Sequence, residues 1–306
     1  MNSELTADAR QTRKRFLELV AEVRPQLHRY CARMAGSLSD GEDIVQEALA
    51  RAYFALPEHE EMPPLRPWLF RIAHNCAIDH LRRQDRSRET AAGLDPEILG
   101  PDPKSDTARS PSPEDALARE DALRAALSHF MTLPPRQRSC VILLDVLGHS
   151  LGEVAALLDM SVQGVKAALH RGRSALRAHE PDPEPPLQPI SAELNRYAQL
   201  FNARDWDGVR AMLGEDVRLN LVTLSQRAGR RAVGNYVDNY SRATDWYFVP
   251  GWLEGREVIG VFTGPEKTTA RYFIEVRFAH AEVASIRDYR YVPYIAQDAR
   301  FVPGRS

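Results

Sequence analysis

Apolar residues recur at three- and four-residue intervals through most of the first 180 residues, and this spacing predicts α-helices. One helical stretch covers residues 13–56, with a break at 36–40, and a second covers residues 68–86. Helical spacing resumes over 114–177. Strand-like composition begins only at 216–223 and recurs towards the C-terminus. The pattern predicts helical domains followed by an α+β tail.

The strongest local signal is a pair of helical patterns joined by a very short break. Ser150 stands three residues before Glu153, the spacing of a capping box. Asp159 lies in the break, and Ser161 is a good N-cap for the second helix. The second helix has an apolar side formed by Val162, Val165, Leu169 and Leu176. Its other side is polar and basic, with Gln163, Lys166, His170, Arg171, Arg173 and Arg177. The pattern predicts a helix–turn–helix.

The second helix is locally basic, since residues 161–179 contain four Lys or Arg and no Asp or Glu. Such a helix fits the major groove of DNA, with cations at phosphates and N-terminal side chains at base edges. A helical hairpin with a solvated basic face would show the same pattern, so this stretch alone leaves both interpretations open. Asp159 replaces the glycine common in such turns, and Asp tolerates left-handed backbone better than most residues.

Polar positions on the earlier helices also allow two interpretations. The 68–86 helix leaves a polar set for its surface: Arg71, His74, Asn75, Asp79, Arg82, Arg83 and Arg86. These side chains suit DNA bases and phosphates, but arginine is also favourable at a helix C-terminus. Acidic residues begin the helix after the 36–40 break: Asp40, Glu42, Asp43 and Glu47. They are typical of a helix N-terminus and would equally form a docking face for a basic partner.

Composition narrows the class of protein. The formal charge of −2 excludes a generally basic nucleic-acid coat protein, so any DNA contact is local. Neither a membrane span nor a signal peptide is evident, and we expect a cytoplasmic protein. Three widely spaced cysteines argue against a disulfide framework. The pairs Cys76/His80 and His28/Cys31 supply only two ligands each, so we expect no metal site and no cofactor.

Three runs in order resemble the extracytoplasmic-function sigma factors of the sigma-70 family: DGEDIVQEALARAY, RPWLFRIAHNCAIDHLRR, and the long run from LPPRQRSC to RSALR. The resemblance covers residues 15–178. It implies that the chain binds RNA polymerase core and directs promoter recognition, DNA melting and transcription initiation. It also implies a division of the chain: 13–86 as sigma region 2, 87–113 as a flexible linker, 114–179 as sigma region 4, 180–190 as a proline-rich linker, and 191–306 as a tail domain.

The resemblance further implies roles for particular residues. Polymerase would be bound through Asp40, Asp43, Gln46, Glu47 and Arg51. The downstream promoter element would meet Asn75, Asp79, Arg82 and Arg83, and the proline-rich loop 57–67 would hold a base extracted from the melted strand. The upstream element would meet Ser161, Gln163, Gly164, Lys166, His170 and Arg171.

The tail looks like the polyketide-cyclase and ketosteroid-isomerase-like (SnoaL-like, NTF2-like) superfamily. This resemblance implies an α+β cone with a curved antiparallel sheet, in which IRDYRYVPYI would be the last strand. Acid–base candidates are Asp216, Asp238, Tyr236 and Asp288. None lies in a motif that identifies a catalytic pair, so we expect a regulatory tail and not an enzyme.

Two other functions stay open at this point. One is a helix–turn–helix regulator that binds operator DNA without recruiting polymerase, which leaves residues 15–86 unexplained. The other is an NTF2-like enzyme fused to a DNA-binding module. The expected partners under the leading interpretation are RNA polymerase core, promoter DNA, and either a small ligand or an inhibitor protein, without a membrane.

Overall fold

The computed structural model describes residues 2–56, 64–92, 122, 126–178, 189–242, 245–264 and 269–304. The chain divides into two compact units, residues 1–181 and 182–306. The first unit is helical throughout its described residues, and the second combines helices with one sheet. This arrangement confirms the predicted fold class of helical domains followed by an α+β tail.

The first unit begins with three long helices that share one apolar core: α1 (Asn2–Ala35), α2 (Leu38–Ala55) and α3 (Leu65–Ala92). The side chain of Ser37 accepts a hydrogen bond from the Asp40 amide and caps α2, so the break is shorter than predicted. Helix α3 begins before Pro67, which its first turn tolerates because no partner is needed there for the missing N–H. It also continues past residue 87, where the linker was predicted to start.

Among the described residues of this unit, four further α-helices follow: α4 (Leu127–Met131), α5 (Pro135–Val141), α6 (Leu151–Leu158) and α7 (Val162–Ala178). A π-helical turn, Ile142–Val146, continues α5. Most of the helix predicted from Glu114 lies outside the described residues.

The helix–turn–helix prediction is confirmed in its local detail. The Ser150 amide donates to the Glu153 carboxylate at 2.7 Å, and the Ser150 hydroxyl accepts from the Glu153 amide at 3.3 Å. This is the predicted capping box at the start of α6. Asp159 ends α6 with φ 54° and ψ 52°. This is the left-handed conformation expected of the turn position where glycine is common.

The α1–α3 helices and the helix–turn–helix pack against each other within the first unit. A polar cluster crosses the contact: Tyr30 Oη lies 2.7 Å from His74 Nδ1 and 3.1 Å from Ser139 Oγ. Buried Arg138 donates to the main-chain carbonyl of Met34. Helix α3 also donates from Arg71 to a carbonyl of α6, at Ala156, over 2.6 Å. The two parts are therefore docked through buried polar groups as well as apolar ones.

The position of His74 differs from the prediction. Its spacing assigned it to the exposed face of α3, but it is half-buried against Tyr30 and Ser139. Burial, with a smaller effect from Arg136, lowers the pKa of His74 to about 4. The prediction was wrong because α5, which lies more than sixty residues further along the chain, covers this part of the polar face of α3.

The second unit has three helices among its described residues: α8 (Ala192–Asn202), α9 (Trp206–Ala211) and α10 (Arg230–Ser241). Its strands are β1 (Leu213–Leu221), β2 (Ser225–Ala228), β3 (Tyr247–Leu253), β4 (Arg256–Phe262), β5 (Tyr272–Ala279), β6 (Glu282–Asp288) and β7 (Phe301–Pro303). They form one sheet in the order β2-β1-β6-β5-β4-β3-β7.

The sheet is mixed and not wholly antiparallel. Strand β1 runs parallel to β6, whereas the other described pairs are antiparallel. Strand β2 and helix α10 interrupt the predicted order of helices followed by strands. Strand β6 ends at Asp288, and a 3₁₀ turn (Pro293–Ala296) precedes β7. IRDYRYVPYI is therefore only partly a strand and is not the last one, because Pro293 cannot donate to a ladder.

One face of the sheet and the three helices enclose an aromatic core. The rings of Phe201 and Phe248 stack with centroids 4.7 Å apart, and Tyr240 meets Phe201 edge-on at 5.7 Å. Trp246 packs against the same rings, 5.0 Å from Phe248. Such contacts add about 0.5–1.5 kcal/mol each beyond area burial. The core between the helices and the sheet is therefore rich in aromatic rings.

Candidate functional site

Helices α2 and α3 present one exposed polar surface, which we call the α2–α3 face. Glu47 accepts hydrogen bonds from Arg51, one turn along α2, and from Arg83 of α3 at 3.0 Å. Arg51 also reaches Asp79 of α3 at 3.5 Å. The residues predicted for polymerase and those predicted for the downstream element therefore meet in a single ion-pair network.

The other predicted residues of this region flank that network. Asp43, Asn75 and Arg82 are exposed, and Gln46 and Asp40 are partly buried. The Gln46 amide lies 3.4 Å from Glu42, and Asp40 accepts from Gln84 at 3.5 Å. The loop predicted to hold an extracted base lies outside the described residues over 57–63.

Glu42 is not part of the α2–α3 face. Its side chain is fully buried and forms an ion pair with Arg24 of α1. A buried carboxylate requires such a partner because removal from water costs several kcal/mol. The acidic run at the start of α2 therefore contributes one structural residue beside its exposed members, and sequence position does not distinguish them.

The N-terminal part of α7 presents the residues predicted to read the upstream element. Ser161, Gln163 and His170 are exposed, whereas Gly164, Lys166 and Arg171 are partly buried. The Ser161 hydroxyl accepts from the Gly164 amide at 3.0 Å, so this side chain caps the helix. Val162 was predicted to face inward, but it is 43% exposed beside these residues. The prediction was wrong because helical periodicity does not show which turns of the apolar side are covered by other elements.

Arg173 was predicted to lie on the polar outer side of α7, but it points towards the interior of its domain. Its guanidinium donates to the buried carboxylate of Asp145 at 2.9 and 2.6 Å. A bidentate pair of this kind fixes both side chains. Gly172 next to it lets α5 approach, because a Cβ there would come 2.7 Å from Val141. Arg173 therefore anchors α7 to its domain.

The tail contains a buried carboxylate surrounded by hydroxyls. Asp288 accepts from Tyr236 at 2.7 Å, from Tyr240 at 2.9 Å, and from the Arg290 amide at 2.8 Å. Tyr240 Oη lies 3.1 Å from Tyr272 Oη, which extends the chain of hydroxyls. Burial raises the pKa of Asp288, although these hydrogen bonds oppose the increase.

Of the four acid–base candidates, the structure brings together only Tyr236 and Asp288. Asp216 is exposed on β1, and Asp238 accepts from Arg210 at 2.6 Å. A cavity of about 120 Å³ lies beside Tyr272 and Trp246. That volume equals roughly four water molecules.

The histidine–cysteine pairs have other contacts. His28 Nε2 lies 3.0 Å from the Leu38 carbonyl, and His80 Nε2 lies 2.9 Å from the Gln84 amide. The three cysteines are buried free thiols. Across the described ranges, no three His, Cys, Asp or Glu side chains are grouped as metal ligands. The same residues include no helix long and apolar enough to span a bilayer.

Two family models match the chain: Sigma-70 region 2 over residues 19–87, and Sigma-70, region 4 over residues 123–176. They place the α2–α3 face and the helix–turn–helix in the sigma-70 class of transcription factors. No observation favours an operator-binding regulator that works without polymerase.

Curated relatives define the family further. SigW of Bacillus subtilis, an ECF RNA polymerase sigma factor, is 31% identical over 166 residues, covering 53% of this chain and 87% of SigW. CnrH of Cupriavidus metallidurans is 32% identical over 46% of this chain and 73% of its own. SigG of Mycobacterium tuberculosis is 36% identical over 60% of this chain, which spans about half (55%) of SigG. The chain belongs to the extracytoplasmic-function sigma factors, which bind RNA polymerase to initiate transcription.

Solved structures similar to the chain include M. tuberculosis SigJ, at 21% identity over 89% of this chain and 95% of that one, with a TM-score of 0.36. CnrH in complex with the cytosolic domain of CnrY matches at 24% identity over 56% and 92%, with a TM-score of 0.38. A putative ketosteroid isomerase from Kribbella flavida matches at 22% identity over 32% and 73%, with a TM-score of 0.27.

Proposed function

We propose that this sigma factor binds polymerase core and the downstream promoter element through the α2–α3 face. Polymerase would meet Asp40, Asp43, Gln46, Glu47 and Arg51, and melted DNA would meet Asn75, Asp79, Arg82 and Arg83. The supporting observation is the network of Glu47, Arg51, Asp79 and Arg83 on one exposed surface. Exposed ion pairs contribute about 0–1 kcal/mol, so polymerase or DNA can replace them at little cost.

The upstream element would be read by α7. Gln163, Lys166, His170 and Arg171 supply amide, imidazole and cationic groups to bases and phosphates, with Ser161 and Gly164 at the helix start. Exposed Val162 adds an apolar group suited to a thymine methyl. The capped, exposed N-terminal turns of α7 support this assignment.

In the free protein, α5 and α6 are docked against α1 and α3. This docked form would compete with the form that binds the promoter. If DNA-bound region 2 and region 4 require different relative positions, the docked population lowers the apparent affinity for the promoter. Polymerase and DNA would then favour the separated form by binding it more tightly. The residue boundaries of the two regions and of their linkers stay part of this proposal.

The tail would modulate this activity and not catalyse a reaction. Its core is packed with aromatic rings, and its buried aspartate already accepts three hydrogen bonds. An inhibitor protein is a further expected partner, because the sigma factor RpoE of Bartonella quintana, a structure similar to this chain, was solved in complex with the anti-sigma factor NepR. A small ligand beside Tyr272 is the alternative.

The test is run-off transcription with purified polymerase core on a library of upstream fragments from the source genome. The expected result is a set of transcripts that require this protein and share two motifs at fixed spacing. The Arg82→Ala/Arg83→Ala variant should reduce open complexes about tenfold or more. The Arg231→Ala/Arg242→Ala variant, which removes two exposed arginines of the tail outside the proposed surfaces, should not. Transcripts that do not depend on the protein, together with absent core binding, would contradict the proposal.

A further inference from the structure

The tail has a second sheet face, opposite its aromatic core, and that face differs from one half to the other. Over β3, β4 and β5 it is covered by the C-terminal segment, where Phe301 packs 5.7 Å from Phe273. Over β2, β1, β6 and β5 it is open and forms a trough of about 610 Å³, the arginine trough. The open half is therefore a concave surface lined by polar side chains.

The strand register shows which side chains share the trough. Arg218 of β1 pairs with Ser285 of β6, which pairs in turn with Arg277 of β5. Two residues along, Asn220 pairs with Arg287, which pairs with Glu275. Since side chains two residues apart lie on one face, these six form two adjacent rows. The small Ser285 leaves the space between two arginines.

The charge of the trough is not that of its unit. Residues 182–306 contain sixteen Lys or Arg and sixteen Asp or Glu, so their formal charge is zero. The described residues that line the trough include four arginines and one acid. That acid, Glu275, accepts a hydrogen bond from the Tyr289 hydroxyl at 2.9 Å. Within the described residues, exposed Arg218 and Arg277 form no ion pair. Positive charge is thus concentrated on one face.

We propose that the arginine trough binds the phosphate backbone of DNA adjacent to the segment held by α7. Arginine, asparagine and serine are residue types that contact phosphate and sugar oxygens, and arginine suits them by its planar, bidentate geometry. A sheet face that is merely exposed to water is also polar, but it has no need for an excess of positive charge. An acidic protein segment would satisfy the charge, but DNA is the polyanion that this family already binds.

The connection along the chain favours the same partner. Ten residues, 179–188, separate the end of α7 from the first described residue of the tail. Fully extended, they span no more than about 35 Å. DNA held by α7 would therefore be present at high effective concentration for the tail. The inference rests on the proposed function only in requiring that α7 binds DNA.

The test uses the full-length chain bound to polymerase core and a fluorescein-labelled 40-bp duplex from an upstream promoter region. Anisotropy titrations between 50 and 200 mM KCl give the salt dependence of binding. The Arg218→Gln/Arg277→Gln variant should flatten the slope of log Kobs against log salt by about two units, from two lost phosphate contacts. The charge-matched control Arg231→Gln/Arg242→Gln should keep the wild-type slope, as should Arg218→Lys/Arg277→Lys.

Each other outcome overturns the inference. Equal flattening by the trough and control variants would mean that only overall charge matters. An unchanged slope in the trough variant, with weaker binding by Lys166→Ala, would exclude DNA at the trough while supporting DNA binding by α7. If only polyglutamate binding depended on the trough arginines, the partner would be an acidic protein. No effect of Lys166→Ala would count against the proposed function separately.

Discussion

Arg173 and Lys166 were both predicted to lie on the polar side of α7, but the fold gives them different environments. Arg173 is held by the buried Asp145 carboxylate, whereas Lys166 stays partly exposed towards the proposed DNA surface. The difference follows from a partner that lies 28 residues from Arg173 along the chain. Each residue leads to its own prediction.

Asp145→Ala should destabilise the helical unit by about 3 kcal/mol or more, because Arg173 would remain largely buried without its carboxylate. Urea unfolding of the full chain, followed by circular dichroism at 222 nm, measures the change. The double variant Asp145→Ala/Arg173→Ala should recover part of the loss. Arg177→Ala is the matched exposed control. A loss no larger than that of the control would contradict a stabilising ion pair.

Lys166→Ala should weaken binding of the holoenzyme to upstream promoter DNA and lower the salt slope by about one unit, as expected for one phosphate contact. Binding isotherms at several KCl concentrations provide the measurement. Lys14→Ala, an exposed lysine on α1, serves as control. An unchanged slope would remove Lys166 from the DNA surface.

One group in the contact between α1, α3 and α5, the imidazole of His74, changes charge on acidification. Tyr30 of α1, His74 of α3 and Ser139 of α5 share hydrogen bonds, and Arg136 lies near enough to disfavour a charged imidazole. A neutral His74 therefore favours the docked arrangement of the helices. Protonation of the imidazole would place a cation in this partly dry contact.

Acidification should consequently destabilise the contact. With a pKa of about 4 in the folded chain against 6.5 ordinarily, His74 takes up a proton on unfolding. Its contribution to stability is complete above pH 6.5 and is lost as the pH falls towards 4. The loss amounts to about 2 kcal/mol at pH 5. His74→Gln removes this titration. Thermal melting at pH 7.5 and 5 should show a Tm loss several degrees larger for the wild type; equal losses would refute the assignment.

The chain joins a helical unit that carries both proposed promoter-reading surfaces to a tail with an aromatic core and the arginine trough on its sheet. The tail's buried groups are engaged with one another, so its outward arginines are the side chains best placed to act on a partner. Removal of the tail should therefore weaken binding of the promoter, because favourable contacts with DNA would be lost.

Truncation after His179 should therefore lower transcript yield, and the deficit should be larger at 200 mM than at 50 mM KCl. Run-off transcription with full-length and truncated chains at both salt concentrations makes the comparison. Circular dichroism of the truncated chain checks that its helices fold. Higher yield from the truncated chain would identify the tail as inhibitory, and equal yield at both salts would exclude a modulating tail.

Local signals in the sequence were enough for much of this protein. Ser150 and Glu153 predicted a capped helix, and Asp159 a left-handed turn, because each feature depends on residues at most a few positions apart. Helical periodicity located the main helices for the same reason but not their ends, since α1 begins at Asn2 and α3 continues to Ala92. The three sigma-like runs pointed to the family because all three occur in one chain and in the expected order.

Long-range partners decided the remainder. Glu42 became buried through Arg24, His74 through Tyr30 and Ser139, and Asp288 through Tyr236 and Tyr240. No periodicity encodes these pairings, because a polar residue has the same spacing whether water or another helix covers it. The parallel pairing of β1 with β6, and with it the arginine trough, likewise exists only once distant strands lie side by side.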